Sequence, residues 1–196
     1  MKILYLVSRS DEIGGAQIHV RDLATEMNRR GYQAMVAVGG EGPLFEQLRD
    51  RGVPALRVSA LIRAIRPWTD LRALMQLIRL FRAEAPDLVS LHSSKAGLLG
   101  RMAARIAGVP AVFTAHGWAF TEGVPGVRRR LYTALERAAA PWARRIITVS
   151  EYDRALALES GVGRSEQVVT VHNGMPEVAP ELRADPGAAP PHLIMV

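Results

Sequence analysis

Residues 111–120 read Ala111-Val112-Phe113-Thr114-Ala115-His116-Gly117-Trp118-Ala119-Phe120, a short apolar run that ends in a histidine and a glycine. Pro110 and Gly117 bound the run, which is typical of a fully buried strand in a parallel sheet. Such a strand brings its last residues to the carboxyl edge of the sheet, where open α/β folds bind ligands. We therefore expect His116 at a ligand-facing edge, followed by two exposed aromatic side chains.

Two further apolar runs end in the same way. Residues 87–91 lead into His92-Ser93-Ser94-Lys95-Ala96-Gly97, and residues 167–171 lead into His172-Asn173-Gly174. Three of the five histidines thus follow the ends of predicted strands. Because parallel strands end at one edge, these segments are the candidates for a binding site.

Strand and helix patterns alternate along most of the chain. The predicted strands are 2–7, 33–38, 53–58, 87–91, 111–115, 145–149 and 167–171. The predicted helices are 16–30, 44–51, 60–83 with an interruption at Pro67, 95–107, 127–140 and 150–160. This alternation predicts an α/β fold with a doubly wound, Rossmann-like parallel sheet. The first glycine turn is not G-x-G-x-x-G and no ribose-binding acid follows, so a dinucleotide site is disfavoured.

The composition is that of a globular domain, with 48% hydrophobic and 22% charged residues in 196. There is no cysteine, no signal-peptide core and no apolar run long enough to span a bilayer, so we expect a cytoplasmic protein. The net charge of +6 comes almost wholly from arginine, which suits phosphate groups or anionic lipid. The alternative is that most of these arginines are ordinary solvated surface.

The character of the sequence changes after Gly174. Residues 175–191 hold five prolines and no periodicity, which is typical of a linker, and residues 192–196 resemble the first strand of a further domain. We therefore expect an N-terminal domain at 1–174 and a second domain that begins at 192.

Taken together and in order, these motifs resemble a known family. Gly14-Gly15, the His92 and His116 segments, Val149-Ser150 and Val171-His172-Asn173-Gly174 are similar to the N-terminal domain of retaining, family 4 glycosyltransferases. Those enzymes have the GT-B architecture of two facing Rossmann-like domains. The resemblance is greatest to the capsule and exopolysaccharide subgroup. It implies a nucleotide-diphosphate sugar as donor, a lipid-linked or glycan acceptor, no metal or other cofactor and no nucleic acid.

The resemblance also implies roles for individual residues. His116 is the expected catalytic residue, and an imidazole there can bond a sugar hydroxyl or share developing charge. The donor or its diphosphate is expected at Gly14, Gly15, Asn173 and Gly174. The acceptor is expected at His92, Ser93, Ser94, Lys95, Gly117 and Trp118.

Physical chemistry supports some of these roles and leaves alternatives open. A side chain at Gly14 or Gly15 would block the approach of a phosphate to a helix start, although both glycines could simply form a tight turn. Lys95 opens a helix, where the dipole disfavours a cation unless an anion binds beside it; a solvated lysine is the alternative. His116 could be a core histidine. A metal site on His92, His116 and His172 is disfavoured because no carboxylate accompanies them at ligand spacing.

Two arginine-containing segments are candidates for membrane contact at the inner face of the membrane. Arg63, Arg66 and Trp68 lie among aliphatic residues, and Arg128, Arg129 and Arg130 begin a predicted helix. Ordinary solvated surface is again the alternative. For the whole chain, the competing interpretation to a glycosyltransferase is a non-catalytic Rossmann-like module that holds a phosphorylated or lipid ligand.

Overall fold

The fold is a single parallel sheet with helices on both faces, seen in a computed structural model that describes residues 1–174, Pro180 and Gly187. The predicted linker and the predicted last strand therefore lie outside the described residues, apart from those two positions. The strands are β1 (Lys2–Val7), β2 (Gln33–Gly39), β3 (Ala55–Val58), β4 (Leu88–His92), β5 (Ala111–Ala115), β6 (Arg145–Thr148) and β7 (Val168–Thr170). The helices are α1 (Gly15–Arg29), α2 (Leu44–Asp50), α3 (Pro67–Glu84), α4 (Ser94–Ala107), α5 (Gly126–Ala139) and α6 (Glu151–Glu159).

The seven strands run in the order β3-β2-β1-β4-β5-β6-β7, and every pair is parallel. The predicted doubly wound, Rossmann-like sheet is thereby confirmed. The chain reverses its direction of winding between β1 and β4, and ligands of such sheets bind at the carboxyl ends of the strands at this point. The fold thus places the ends of β1 and β4, more than the end of β5, at the centre of any site.

Helix α4 packs unusually close to the sheet, because two of its glycines face β4 and β5. A Cβ atom on Gly97 would lie 2.3 Å from the Phe113 ring, and one on Gly100 would lie 2.5 Å from Leu91. Gly97 and Gly100 are therefore needed for close packing of α4 on the sheet. They bring the start of α4 against the strand ends, which positions the residues just before the helix.

Of two predictions about α3, one is wrong and the other is confirmed only in part. Residues 60–66 are not helical, and Pro67 is the first residue of the helix, a position where its missing N–H costs nothing. The helical spacing predicts one buried stripe made of Leu71, Leu74, Met75, Ile78 and Phe81. Ile78 and Phe81 are buried, together with Ala73 and Leu77, whereas Leu71 and Met75 are exposed. Apolar residues occur on several faces of α3, so periodicity alone did not select the buried one.

The aromatic residues after β5 are buried, which corrects their expected exposure. Trp118 and Phe120 stack with their rings 5.0 Å apart, and the Trp118 indole N–H donates to the Asp153 carbonyl at 2.9 Å. Asp153 lies in the first turn of α6, whose cap is the Ser150 hydroxyl, as the sequence predicts. Trp118 therefore joins the loop after β5 to the start of α6.

Candidate functional site

A cleft of about 650 Å³ opens at the carboxyl edge of the sheet, beside the ends of β1 and β4. The two strand ends are joined there by the hydroxyls of Ser8 and Ser93, whose oxygens lie 2.7 Å apart. The polar part of the wall comprises Ser8, Arg9, Gln17, Arg63, Asp70, Ser93, Ser94, Lys95 and Glu136. The apolar part comprises Val7, Ala16, Ile65, Leu98, Leu99, Ala119, Tyr132 and Leu135. One cleft thus offers a polar region and an adjoining apolar region.

Gly14 and Gly15 form the start of α1, near the polar region of the cleft. A Cβ atom on Gly15 would meet nothing within 4 Å, and one on Gly14 would approach only the flexible Gln17 side chain. Packing within the protein therefore does not require glycine at either position. The first N–H groups of a helix lack partners within it and attract anions, so this open end can receive a phosphate.

Ser93 has a backbone conformation that non-glycine residues rarely adopt, with φ 69° and ψ 152°. Such strain costs about 1–3 kcal/mol and is found mostly at functional sites. It turns the chain sharply between the end of β4 and the start of α4. As a result the Ser93 hydroxyl faces Ser8, and Ser94 and Lys95 face the cleft.

Lys95 forms an ion pair with a carboxylate of the protein, so an anionic ligand is not needed to explain a cation at the start of this helix. Its ammonium group lies 2.5 Å from an Asp70 carboxylate oxygen and donates to the Ala64 carbonyl. Asp70 belongs to the first turn of α3, and Ala64 to the segment before it. Lys95 therefore anchors this segment to α4 and shapes the cleft wall, while its charge is already compensated.

His92 and His116 are in direct contact. The Nδ1 atom of His92 lies 3.0 Å from Nε2 of His116, and Nε2 of His92 lies 3.0 Å from the Ser90 hydroxyl oxygen. His92 and Ser90 are fully or nearly fully buried, whereas His116 is half-buried. The three side chains form one chain of hydrogen bonds that runs from the core to the strand edge.

A third histidine, His19 of α1, completes a cluster that the sequence analysis did not predict. Its ring centroid lies 5.1 Å from that of His116 and 5.6 Å from that of His92. His172, which the sequence groups with the other two, is exposed, and its Nδ1 lies 3.2 Å from the Val149 carbonyl oxygen. A histidine within an amphipathic helix carries no sequence signal for such a contact.

Burial keeps the clustered imidazoles neutral. It lowers the pKa of His116 to about 4, with His19 adding electrostatic repulsion. Burial, followed by repulsion from His116 and His19, holds the pKa of His92 well below its usual range. Burial also lowers the pKa of His19, against the opposing effect of Asp22. At neutral pH all three rings are therefore hydrogen-bonding groups rather than cations.

The remaining predicted residues are not all brought together. Gly117 is exposed at the end of β5, and Trp118 is buried beside it. Asn173 and Gly174 follow the edge strand β7, four strands from β1, which is about 19 Å at ordinary strand spacing. The four residues assigned to the donor or its diphosphate thus occupy two separate places along the sheet edge.

A buried ion pair supports the far wall of the cleft. Arg101 is fully buried; its Nη2 donates to a Glu136 carboxylate at 2.6 Å, its Nε donates to the Gly97 carbonyl, and the guanidinium lies over the Phe113 ring. Arg101 thereby connects α4, α5 and β5.

The six residues predicted to touch a membrane are all exposed, and none of their five guanidinium groups makes an ion pair with another described residue. Arg63, Arg66 and Trp68 lie before and at the start of α3, and Arg128–Arg130 lie at the start of α5. Both helix starts follow the carboxyl edge of the sheet. The two segments therefore lie at the same edge as the cleft.

Fold and site together define a Rossmann-like domain of the GT-B type, with its cleft at the carboxyl edge of the sheet. The glycosyl transferase 4-like domain family matches residues 14–174, and the chain belongs to this family. The resemblance found in the sequence is thereby confirmed.

Two curated relatives illustrate the relationship. An Escherichia coli UDP-Gal:alpha-D-GlcNAc-diphosphoundecaprenol alpha-1,3-galactosyltransferase is 36% identical over 135 residues, which are 68% of this chain and 35% of that protein. The capsular polysaccharide biosynthesis glycosyltransferase CapM of Staphylococcus aureus is 30% identical over 113 residues, 57% of this chain and 30% of its own. The matched region thus spans about a third of each relative.

Solved structures agree on the fold. Anabaena HepE in complex with UDP superposes with a TM-score of 0.71 at 23% identity, over 89% of this chain and 44% of that one. MurG of Acinetobacter baumannii superposes with a TM-score of 0.61 at 16% identity, over 91% of this chain and 47% of that one. At this identity the similarity establishes the architecture.

Proposed function

We propose that this domain is the acceptor-side half of a retaining glycosyltransferase that moves a sugar from a nucleotide-diphosphate donor to a lipid-linked glycan acceptor, without a metal cofactor. The observation that carries the proposal is the cleft at the strand ends, in which polar groups adjoin an apolar wall. A diphosphate and a sugar fit the polar region, and an isoprenoid-like chain fits the apolar one. The name of the E. coli relative, which acts on a diphosphoundecaprenol-linked sugar, supports this acceptor class.

The second part of the proposal, a nucleotide-diphosphate sugar as donor, is supported by a structural neighbour. The Anabaena protein has been solved with UDP and with UDP-glucose, and the aligned residues cover 44% of it. We propose that the donor is held mainly by a domain that follows residue 191, and that His116 faces the donor sugar from this side. Ser93 and Ser94 then line the acceptor path, with buried His92 behind them and exposed Gly117 after the neighbouring strand β5. Lys95 and Trp118 shape the path through Asp70 and Asp153.

The surface around the cleft supports peripheral contact with a membrane. Large apolar side chains stand exposed on both sides of the opening: Ile65 is 72%, Trp68 80%, Val127 82% and Leu131 56% exposed. Leu71 and Met75 continue the row from Trp68 along α3, and Leu135 continues the row from Leu131 into the cleft. Apolar rows flanked by arginines that form no ion pair with a described residue suit an interface with anionic lipid. Within the described residues, no helix has the length and apolar content needed to cross a bilayer.

The test is a transfer assay with the product of the gene read past codon 196. Labelled UDP-sugars are offered with a polyprenyl-diphosphate-linked sugar in detergent, and label is measured in the organic extract. We expect transfer that needs no added metal, and a product that keeps the anomeric configuration of the donor by NMR. The 196-residue chain alone is expected to fold and to transfer nothing. Binding of the lipid acceptor by the longer protein without any transfer would favour the non-catalytic module.

A control variant separates the cleft from general effects on the enzyme. Leu98→Arg places a charge in the apolar wall of the cleft, whereas Leu80→Arg introduces the same charge on α3 outside the cleft lining. We expect the first to raise the apparent KM for the lipid acceptor by about tenfold or more and the second to leave it near the wild-type value. Equal effects of both variants would count against the cleft as the acceptor site.

A further inference from the structure

Three imidazoles converge at the strand edge without any carboxylate between them. One ring nitrogen from each of His19, His92 and His116 lies within 4.8 Å of the other two. Three neutral histidine ligands with one open position are a common arrangement at Zn²⁺ sites, and tetrahedral bonds of about 2.0–2.1 Å place the nitrogens roughly 3.3 Å apart. The pair formed by His92 Nδ1 and His116 Nε2 is already at 3.0 Å.

His19 is the group that has to move, and its surroundings leave it free to do so. Its side chain is half-exposed and makes no hydrogen bond with any described residue, although its ring contacts both other histidines. A half-buried imidazole that contacts two further imidazoles and has no hydrogen-bond partner among the described residues has an unused lone pair. A small rotation brings that lone pair to a shared ion.

We infer that His19, His92 and His116 form a binding site for a divalent transition metal, of which Zn²⁺ is the expected occupant. Fully buried His92 would hold the ion from the core side, and the half-buried rings of His19 and His116 would cover its other side. The fourth position would hold water. On the function proposed above, the ion would act as an inhibitor, because binding through Nε2 breaks the hydrogen bond to His92 that positions the His116 ring.

The outer contacts of the site fit this assignment. For His92 to bind through Nδ1, the proton on Nδ1 must move to Nε2. The Ser90 hydroxyl, whose oxygen lies 3.0 Å from Nε2, must then turn from donor to acceptor. The proton stays on the same ring, so no charge is released. Metal-binding histidines usually donate their second N–H to such a partner, which fixes the tautomer.

The ligand chemistry also predicts which ions bind. Imidazole suits Zn²⁺, Cu²⁺, Ni²⁺ and Co²⁺, whereas Mg²⁺, Ca²⁺ and Mn²⁺ prefer oxygen ligands. No aspartate, glutamate or cysteine of the described residues joins the cluster of three. The site should therefore bind Mg²⁺, Ca²⁺ and Mn²⁺ far more weakly than Zn²⁺.

The test titrates the 196-residue chain with Zn²⁺ against a chromophoric chelator, and with Co²⁺ followed by its visible absorption bands. We expect one ion per chain, tetrahedral Co²⁺ bands, and no competition from a large excess of Mg²⁺. His19→Gln should weaken Zn²⁺ binding by about 100-fold or more, while His172→Gln, which removes an exposed histidine elsewhere, should not. Circular dichroism checks that both variants are folded.

Two outcomes would overturn the site: Zn²⁺ affinity unchanged in His19→Gln, or reduced equally in His172→Gln. The inhibitory role has a separate readout in the longer protein, where Zn²⁺ should inhibit the wild type at concentrations that spare His19→Gln. Metal binding without inhibition would confirm the site and contradict only the role of His116 in transfer.

Discussion

The Nδ1 atom of buried His92 lies 3.0 Å from Nε2 of His116, so one proton is shared between two neutral rings. The Ser90 hydroxyl has no other hydrogen-bond partner among the described residues, and a buried hydroxyl without an acceptor is costly. Ser90 therefore donates to Nε2 of His92, and His92 donates from Nδ1 to His116. This leaves the remaining proton of His116 on its Nδ1 atom. A serine in the core thus sets the tautomer of a histidine at the strand edge.

This relationship predicts that Ser90→Ala changes the tautomer of His92 without unfolding the domain. Without the hydroxyl donor, the Nδ1–H form of His92 loses its preference and the two tautomers become mixed. The ¹⁵N chemical shifts of the ring nitrogens report this directly. We expect the wild type to show a protonated Nδ1 on both His92 and His116. Unchanged shifts in Ser90→Ala would contradict the proposed direction of the hydrogen bonds.

His116→Ala is expected to reduce transfer by the longer protein by about 100-fold, in the range for a positioned polar or acid–base group. His116 is half-buried and bonded to His92, so a modest loss of stability should accompany the change. His116→Gln retains a side chain that can bond to His92 and serves as the folding control. His172→Ala should transfer normally. Loss of activity only in proportion to loss of folded protein would make His116 a structural residue.

The stability of the domain should fall as the pH drops from about 6.5 towards 4. The folded protein holds the pKa values of these histidines below the usual 6.5, so the unfolded chain binds more protons in this window. Stability then rises with pH, by up to about 1.4 kcal/mol per pH unit for fully buried His92, and by less for the two half-exposed rings.

Urea unfolding at a series of pH values checks this expectation. His92→Gln removes one titrating group and should flatten the dependence, whereas His172→Gln removes an exposed histidine and should not. Identical slopes in the wild type and His92→Gln would contradict the assignment.

The buried pair of Arg101 and Glu136 should be important for stability. Arg101→Met leaves the Glu136 carboxyl in a dry environment, which we expect to cost about 3–5 kcal/mol. Adding Glu136→Gln removes the unpaired charge and should restore part of the loss. Denaturant titration of both variants measures the difference; an equal or lower stability of the double variant would show that packing of Arg101 on Phe113 matters more than the charge.

The sheet was predictable because short, mainly apolar runs alternate with helical patterns along the chain. What the runs could not reveal is which side chains meet across the edge. His19 reaches His92 and His116 only because β1 and β4 are neighbours, which places α1 beside them. Trp118 follows the exposed Gly117 after a strand end, where the sequence predicts an exposed aromatic side chain that binds a ligand. The first turn of α6 covers it instead. Such contacts depend on the order of strands rather than on local pattern.

The buried face of α3 was predicted only in part, for a related reason. Apolar residues on a solvent-facing stripe have the same periodicity as those on a buried stripe, and only the neighbouring α4 determines which stripe packs. Trp68, Leu71 and Met75 are therefore exposed at helical spacing, beside the cleft rather than in the core. These exposed apolar residues, which the helix prediction did not expect, support the membrane proposal.

Membrane binding gives the last prediction. The arginines at the starts of α3 and α5 lie at the cleft edge, and each basic residue near an anionic surface contributes about 1 kcal/mol. We expect the chain to sediment with liposomes that contain anionic lipid, less with neutral ones, and less again at high salt because of screening. Replacing Arg128, Arg129 and Arg130 by Ser should weaken this binding.

The matched control removes three exposed arginines from the other end of the helices, Arg79 and Arg82 on α3 and Arg105 on α4. It has the same net charge as the Arg128–Arg130 variant, but the changes lie at the amino edge of the sheet. Trp68→Ser tests the apolar part, and its effect should persist at high salt, where the charge contribution has faded. If both triple variants lose binding equally, net charge rather than this surface explains the attraction; if neither loses any, the arginines at the cleft edge are ordinary solvated surface.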